Sequence, residues 1–334
     1  MFLEFIIIFV ISLILVGAVK KYGPELGFID VPNDRSTHRE HTPQAAGIGF
    51  SLAAVSVLPF FHFDLLMQYA WIFLSILLVF VVGVLDDHRE ASPNTKFIVL
   101  IISTVLLSFN GFVIDDVGTF FGQPLLLGWF AIPFTIFAVT GFTNALNLID
   151  GLDGLAATIS IVILSTFFMV GYQHDDTFII VLSMSFIASL LAFLVYNWQP
   201  ASIFMGDSGS LTLGFVISVL AVKSLDYLPT VSILFIAALP IFDTLIIMVR
   251  RKIKGRSIFS ADRCHMHHII RHSFMENTHK TVFFFGILQA VYSMTGLQLD
   301  KNMDEGYLLI LFLLNTVLLY LFIGAMIKRQ KRDC

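Results

Sequence analysis

Residues 144–156 read Asn-Ala-Leu-Asn-Leu-Ile-Asp-Gly-Leu-Asp-Gly-Leu-Ala, with apolar runs on both sides, Leu125 to Thr143 before and Leu155 to Tyr172 after. Asn144, Asn147, Asp150 and Asp153 recur at intervals of three residues. That spacing predicts four side chains on one face of a helix or helical turn. Two amides and two carboxylates together make an oxygen-rich wall, the donor set that hard cations such as Mg²⁺ prefer. Gly151 and Gly154 let the backbone turn and approach a ligand closely. The plainer reading is a polar connector between two buried helices, but such connectors seldom carry four polar residues in phase with two glycines.

The flanking runs set the class. Hydrophobic residues make up 57% of the 334 residues and charged residues 13%, against about 25% charged in soluble domains. Eleven apolar runs of about 16 to 23 residues, one of them shorter, match the length a helix needs to cross roughly 30 Å of hydrocarbon. They lie near 2–19, 44–62, 65–85, 97–114, 125–146, 154–172, 177–196, 211–225, 228–249, 281–297 and 306–327. The expected fold is an all-α polytopic membrane protein forming one integral membrane domain over residues 1–334. The first run lacks a basic leader and a small-residue cleavage site, which predicts a retained helix. Cys264 and Cys334 show no metal or redox spacing. A net charge of −4 names no partner, and nucleic acid is not expected.

If all eleven runs cross, alternate connections share a side. Of the 20 Lys and Arg, all but Lys223 and Lys301 then fall on one side. Positive residues accumulate in cytoplasmic loops, so the N-terminus is expected outside and the C-terminus inside. The other side collects Asp64, Asp115, Asp116, Asp175, Asp176, Asp226, Asp300, Asp304 and Glu305 in short connections with no cluster worth naming.

The polar clusters all fall in the cytoplasmic connections, about 20–43, 86–96, 144–153, 197–210 and 250–280. An enzyme drawing on a soluble substrate has this layout, whereas a transporter places its polar residues on broken helices near the bilayer midplane. In the first loop Arg35, His38, Arg39 and His41 could pair with phosphate. In the second, adjacent Asp86 and Asp87 repel unless a cation or proton relieves them, which favours a metal–phosphate site or a general base. A helix-capping pair is the alternative. In the fourth, Gly206 and Gly209 flank Asp207 and Ser208 just before a span, an arrangement suited to phosphate held through a metal. Phe204 beside them could stack on a base. The fifth loop carries His265, His267 and His268. Three histidines could bind zinc, but the spacing departs from zinc motifs and acidic partners nearby are few. Imidazole donors to a phosphate or sugar are the expectation.

These residues together resemble the polyprenyl-phosphate N-acetylhexosamine-1-phosphate transferase family. The resemblance runs from about residue 30 to 272 and rests on Asp86-Asp87, Asn144 to Ala156, Phe204 to Ser210, Pro240 to Asp243 and His265 to His268 in combination. It implies a Mg²⁺ enzyme, with Mn²⁺ as a substitute, that moves a sugar 1-phosphate from a UDP-sugar to a polyprenyl phosphate and releases UMP. By resemblance Asn147 and Asp207 are the metal positions, and Phe204 and Asp153 hold the uracil by stacking and by its edge. Lys96 meets the phosphates, and Asp86 and Asp87 are the catalytic pair. Asp150, His265, His267 and His268 join the catalytic set, and Asn144, Asn197 and Arg263 join the substrate contacts. The His-Met-His-His run is similar to the branch that uses UDP-N-acetylglucosamine. The muramoyl-pentapeptide branch arranges its histidines differently.

Two departures stand out. Glu90 replaces a lysine that some members carry three residues after the aspartate pair, so Lys96 would act alone. Ala46-Gly47 replaces a double glycine. The expected product is the first lipid-linked intermediate of cell-envelope polysaccharide synthesis, made at the plasma membrane with the active site on its cytoplasmic face. The alternatives are a UDP-MurNAc-pentapeptide transferase and a non-enzymatic transporter. A homodimer is compatible with the sequence. Two anions must meet, so the chemistry requires positioning and charge neutralisation. One acid of the pair would take the last proton of the lipid phosphate, or act as the nucleophile that carries the phosphosugar.

Overall fold

In hydrocarbon a chain segment must satisfy its own backbone polar groups, and a helix does so within one segment. Helices accordingly dominate the computed structural model, which describes residues 1–30, 41–89, 91–255, 257 and 265–330. In chain order they are α1 (Phe2–Tyr22), α2 (Ala46–Ser56), α3 (Leu58–Phe61), α4 (Phe63–Gln68), α5 (Ala70–Arg89) and α6 (Pro93–Leu107). Then come α7 (Ala131–Ile149), α8 (Leu155–Gln173), α9 (Thr177–Asn197), α10 (Asp207–Ser224) and α11 (Thr230–Ile236). The last four are α12 (Ala238–Ile253), α13 (Met266–Ser273), α14 (Thr278–Leu297) and α15 (Glu305–Gln330). Besides three single 3₁₀ turns, the described residues hold two antiparallel ribbons: β1 (Ile29–Asp30) with β2 (Thr42–Pro43), and β3 (Asp116–Phe120) with β4 (Gln123–Leu126).

The protein is an all-α membrane protein. Among the described residues seven helical stretches are long and apolar enough to cross a membrane, those containing α1, α5, α6, α7, α8, α9 and α15. The bent pair α11–α12 would make an eighth. The other expected runs also hold helices, but composition weakens them as spans. The run at 44–62 breaks at Val57, just before Pro59. Small and hydroxyl side chains from Ser208 to Ser218 dilute α10, and His279, Lys280 and Gln289 dilute α14.

Two expected runs are corrected. The run at 125–146 begins as strand: Leu125 and Leu126 belong to β4, and the helix starts at Ala131. The run at 228–249 is two helices meeting at 87° across Ala237. A break leaves backbone groups unpaired, and here one side chain meets them. Gln289 of α14 is fully buried; it donates from Nε2 to the Ile236 carbonyl (2.7 Å) and accepts at Oε1 from Leu239 N–H (3.1 Å). Ser293 Oγ, one turn on, donates to the same carbonyl at 2.8 Å.

Helix α10 is the axis of the bundle, with its residues buried almost throughout. It packs against α2, α5, α7, α8 and α9. At the end of the bundle where α10 finishes, the connections are more structured than expected. Buried Glu305 accepts from the Thr230 and Val231 N–H groups that open α11, at 2.7 and 2.9 Å. Asp304 accepts from Gly122 N–H in the β3–β4 turn at 2.8 Å. Lys223 lies 2.8 Å from Asp226 and 3.5 Å from Asp176.

Candidate functional site

At the other end of the bundle four helix ends converge. The last turn of α5 carries Asp86 and Asp87, and the last two turns of α7 carry Asn144 and Asn147. Asp207 is the first residue of α10. Ser92 caps α6, its Oγ accepting from Thr95 N–H at 3.2 Å, so the first turn of α6 presents Lys96. Helix N-termini favour negative charge, and two of the four ends here are N-termini.

The centre is built around Asp207. Its Oδ2 receives Lys96 Nζ at 2.6 Å, and its Oδ1 receives Asn147 Nδ2 at 2.9 Å. Lys96 Nζ also lies 2.8 Å from Asp86 Oδ2, so one ammonium bridges two carboxylates. Asn147 Nδ2 donates a second bond to Ser210 Oγ at 2.8 Å, which leaves its amide oxygen available as a ligand. Asp87 is buried beside them. Its two oxygens accept from the Asp207 and Ser208 N–H groups at 2.7 and 3.0 Å, so it caps α10 from another helix. Gly206, just before, has φ of +73°, and an added Cβ would come 2.6 Å from Asp87 Oδ2 and 2.8 Å from Ala45 N. Only glycine takes that backbone at so close an approach without strain.

The central stretch does not form one helical face. Helix α7 ends at Ile149, so only Asn144 and Asn147 share its surface; Asp150 is the residue after the helix, and Asp153 lies in the turn to α8. Asp150 still joins the acidic group. Burial, then the charges of Asp207, Asp153 and Asp87, push its carboxyl up to about 7. Asp153 Oδ2 accepts from Ala201 N–H at 3.0 Å, beside a crevice too tight for a water molecule that Trp198 and His279 also line. Asn197 is committed to the fold at both ends of its amide: Oδ1 accepts from Gly154 N–H and Nδ2 donates to the Ile203 carbonyl, each at 2.9 Å. Phe204 is half-buried in the same loop; its N–H donates to the Pro43 carbonyl at 2.9 Å and its carbonyl accepts from Ala46 N–H at 3.0 Å.

The histidines open α13. His265 precedes it, with Nδ1 2.6 Å from Asp243 Oδ2 of α12, and Asp243 Oδ1 accepts from Met266 N–H at 2.7 Å. Acidic partners near the histidines are therefore not lacking; Asp243 reaches them from 22 residues upstream. His267 is 1% exposed, and its ring meets those of His265 and His268 at centroid distances of 5.4 and 4.3 Å. Burial first, then the neighbouring His268, His265 and Arg271, hold His267 well below the usual imidazole range. The ring presses on the central stretch, since a Cβ at Gly151 would collide with His267 Nε2. Arg263 lies outside the described residues, as do Arg35, His38, Arg39 and Glu90.

Sequence reading missed three residues here. Ser210 holds Asn147, and its signal was its place three residues after Asp207 on one helix. Gln44 donates to the Asp87 carbonyl at 3.0 Å from a distant loop, with no local signal. Asp243 stood at the end of the Pro240–Asp243 stretch with no role assigned to it.

The chain has close likenesses among known proteins. The model for glycosyl transferase family 4 matches residues 69–225, the part that carries Asp86, Asp87, Lys96, Asn147 and Asp207. A probable undecaprenyl-phosphate N-acetylglucosaminyl 1-phosphate transferase of Bacillus subtilis (strain 168) is 33% identical over 319 residues, 93% of this chain and 88% of the relative. An undecaprenyl-phosphate alpha-N-acetylglucosaminyl 1-phosphate transferase of Yersinia pestis is 30% identical over 348 residues, 98% of this chain and 92% of the relative. One of Escherichia coli (strain K12) is 28% identical over 340 residues, 98% and 90% of the two chains.

Proposed function

This chain belongs to glycosyl transferase family 4, and we propose that it transfers N-acetylglucosamine 1-phosphate from UDP-N-acetylglucosamine to undecaprenyl phosphate, releasing UMP. The relatives' names carry the donor sugar and the acceptor. The reaction opens cell-envelope polysaccharide synthesis at the plasma membrane. Eleven crossings with the N-terminus outside would put the centre on the cytoplasmic face, and the segregation of Lys and Arg supports that orientation.

The observation that carries the reading is the ammonium of Lys96 set between Asp86 and Asp207. Four acids, Asp86, Asp87, Asp150 and Asp207, gather where one lysine supplies positive charge. Such a centre favours a further cation, and carboxylate with amide oxygen is a donor set that fits Mg²⁺, or Mn²⁺ in its place. Asp207 and Asn147 would hold it. When bound, the ion would neutralise charge on the diphosphate.

The chain's own groups take the other roles. Lys96 meets the phosphates and offsets charge that develops between donor and acceptor. Of the aspartate pair we assign the reacting role to Asp86, which faces Lys96, since both oxygens of Asp87 are engaged by the start of α10. Asp86 takes the proton from the lipid phosphate, or attacks as nucleophile; the two routes differ in whether a phosphosugar can be trapped on it. Phe204 and Asp153 read the uracil, with Asn144 and Arg263 as further substrate contacts. Asn197 acts by bracing the loop that carries Phe204. Of the histidines, His268 faces the phosphates or sugar, and the buried His265 and His267 stand behind it.

Purified protein with Mg²⁺, undecaprenyl phosphate and UDP-N-acetylglucosamine tests this. UMP should form in step with lipid-linked product, and Asp207→Asn should abolish it. Full activity in that variant would remove Asp207 as the metal ligand. UMP formed only from UDP-MurNAc-pentapeptide would move the chain to the other branch, and substrate flux without UMP would make it a carrier.

A further inference from the structure

Outside the centre built on Asp207, one polar cluster combines full burial with unspent ligand atoms. Asp243, His265 and His267 each offer a ligand atom, and these atoms all lie within 4.8 Å of one another. All three residues are buried. They come from two elements, Asp243 from α12 and the histidines from the start of α13. Asp243 and His265 are joined to each other, but neither ring nitrogen of His267 has a hydrogen-bond partner. An unpaired polar group in the interior costs about 1–3 kcal/mol and calls for an explanation. The ring packs against Gly151, where an added Cβ would not fit.

We propose that Asp243, His265 and His267 form a binding site for zinc, distinct in its donors from the carboxylate–amide centre. Two imidazoles and one carboxylate are a zinc set, whereas magnesium favours oxygen alone. The Asp243 carboxylate inside the cluster disfavours an anion there and favours a cation. On binding, zinc replaces the proton shared by Asp243 Oδ2 and His265 Nδ1, and that proton leaves to solvent. Three protein ligands leave a fourth position for water. The ion ties the start of α13 to α12 and holds both against Gly151 of the central stretch.

The test uses the full-length protein in detergent, stripped of metal and then given Zn²⁺ alone in excess Mg²⁺, with no substrate present. The outcome is therefore independent of transferase activity. One zinc per chain should survive desalting, and His267→Gln should weaken its binding at least tenfold, while His272→Gln on the exposed face of α13 leaves it unchanged. Co²⁺ in the wild-type protein should give the visible absorption of a four-coordinate site, which keeps the test decisive if His267→Gln does not fold. Less than one zinc per chain, equal zinc in His267→Gln, or no such cobalt spectrum would each overturn the site.

Discussion

Asp87 Oδ1 accepts the backbone N–H of Asp207 at 2.7 Å, so one acid of the centre holds another in place across two helices. The twin aspartates thus divide their work: Asp87 ends one helix and starts another, and Asp86 faces Lys96. An N-cap acceptor is worth about 1–2 kcal/mol. Asp87→Ala should lower thermal stability by that amount and lose activity as well. An unchanged melting temperature in detergent would show that the cap does not hold α10.

Lys96 is the sole ammonium between Asp86 and Asp207 among the described residues. Removing a preorganised charge of this kind lowers turnover by about 10²–10³. Lys96→Gln should do so in a UMP-release assay. A loss below tenfold would show that the lysine neutralises its carboxylate neighbours and does little for substrate.

The Asp150 carboxyl is pushed up to about 7, so the folded protein holds that proton more tightly than the unfolded chain. Such a group stabilises the fold at low pH, and its contribution falls as pH rises from the ordinary carboxylate range to about 7. With divalent metal removed, the melting temperature should therefore decline through this window. Asp150→Asn should flatten the decline. Parallel curves for the two proteins would refute the assignment.

Gly206 leaves no room for a methyl group between Asp87 and Ala45. Gly206→Ala should cost about 1–3 kcal/mol through backbone strain and turn Asp207 out of register with Lys96. Stability and UMP release should fall together. Wild-type activity in Gly206→Ala would show that the loop can give way.

Gln289→Leu would strip the Leu239 N–H of its partner and leave the Ile236 carbonyl to Ser293 alone, at about 1–3 kcal/mol. Gln289→Glu keeps an acceptor for Leu239 N–H and should lose less. Equal melting temperatures for the two variants would remove Gln289 as the clamp.

How much was legible depended on how local each signal was. Asp86, Lys96, Asn147 and Asp207 announced themselves as polar residues interrupting apolar runs, and the structure brings them into one bonded group. The even spacing from Asn144 to Asp153 suggested one helical face, yet Gly151 and Gly154 sit inside it and the helix stops at Ile149. Leu125 and Leu126 read as the start of a span because a strand and a helix can share a short apolar run. Asp243 counted only as part of the Pro240–Asp243 stretch, and Gln289 carries no local signal. Their partners lie 22 and about 50 residues away, and no pattern within one segment could pair them.

The bend at Ala237 carries a consequence for how the chain enters its bilayer. The Ile236 carbonyl is met by a side chain 53 residues later in synthesis. Until α14 emerges from the translation machinery the Ile236 carbonyl lacks this partner, and Pro240, four residues on, has no N–H to offer it. Pro240 therefore already weakens a straight helix at this point, and the later segment fixes an angle that the local sequence favours.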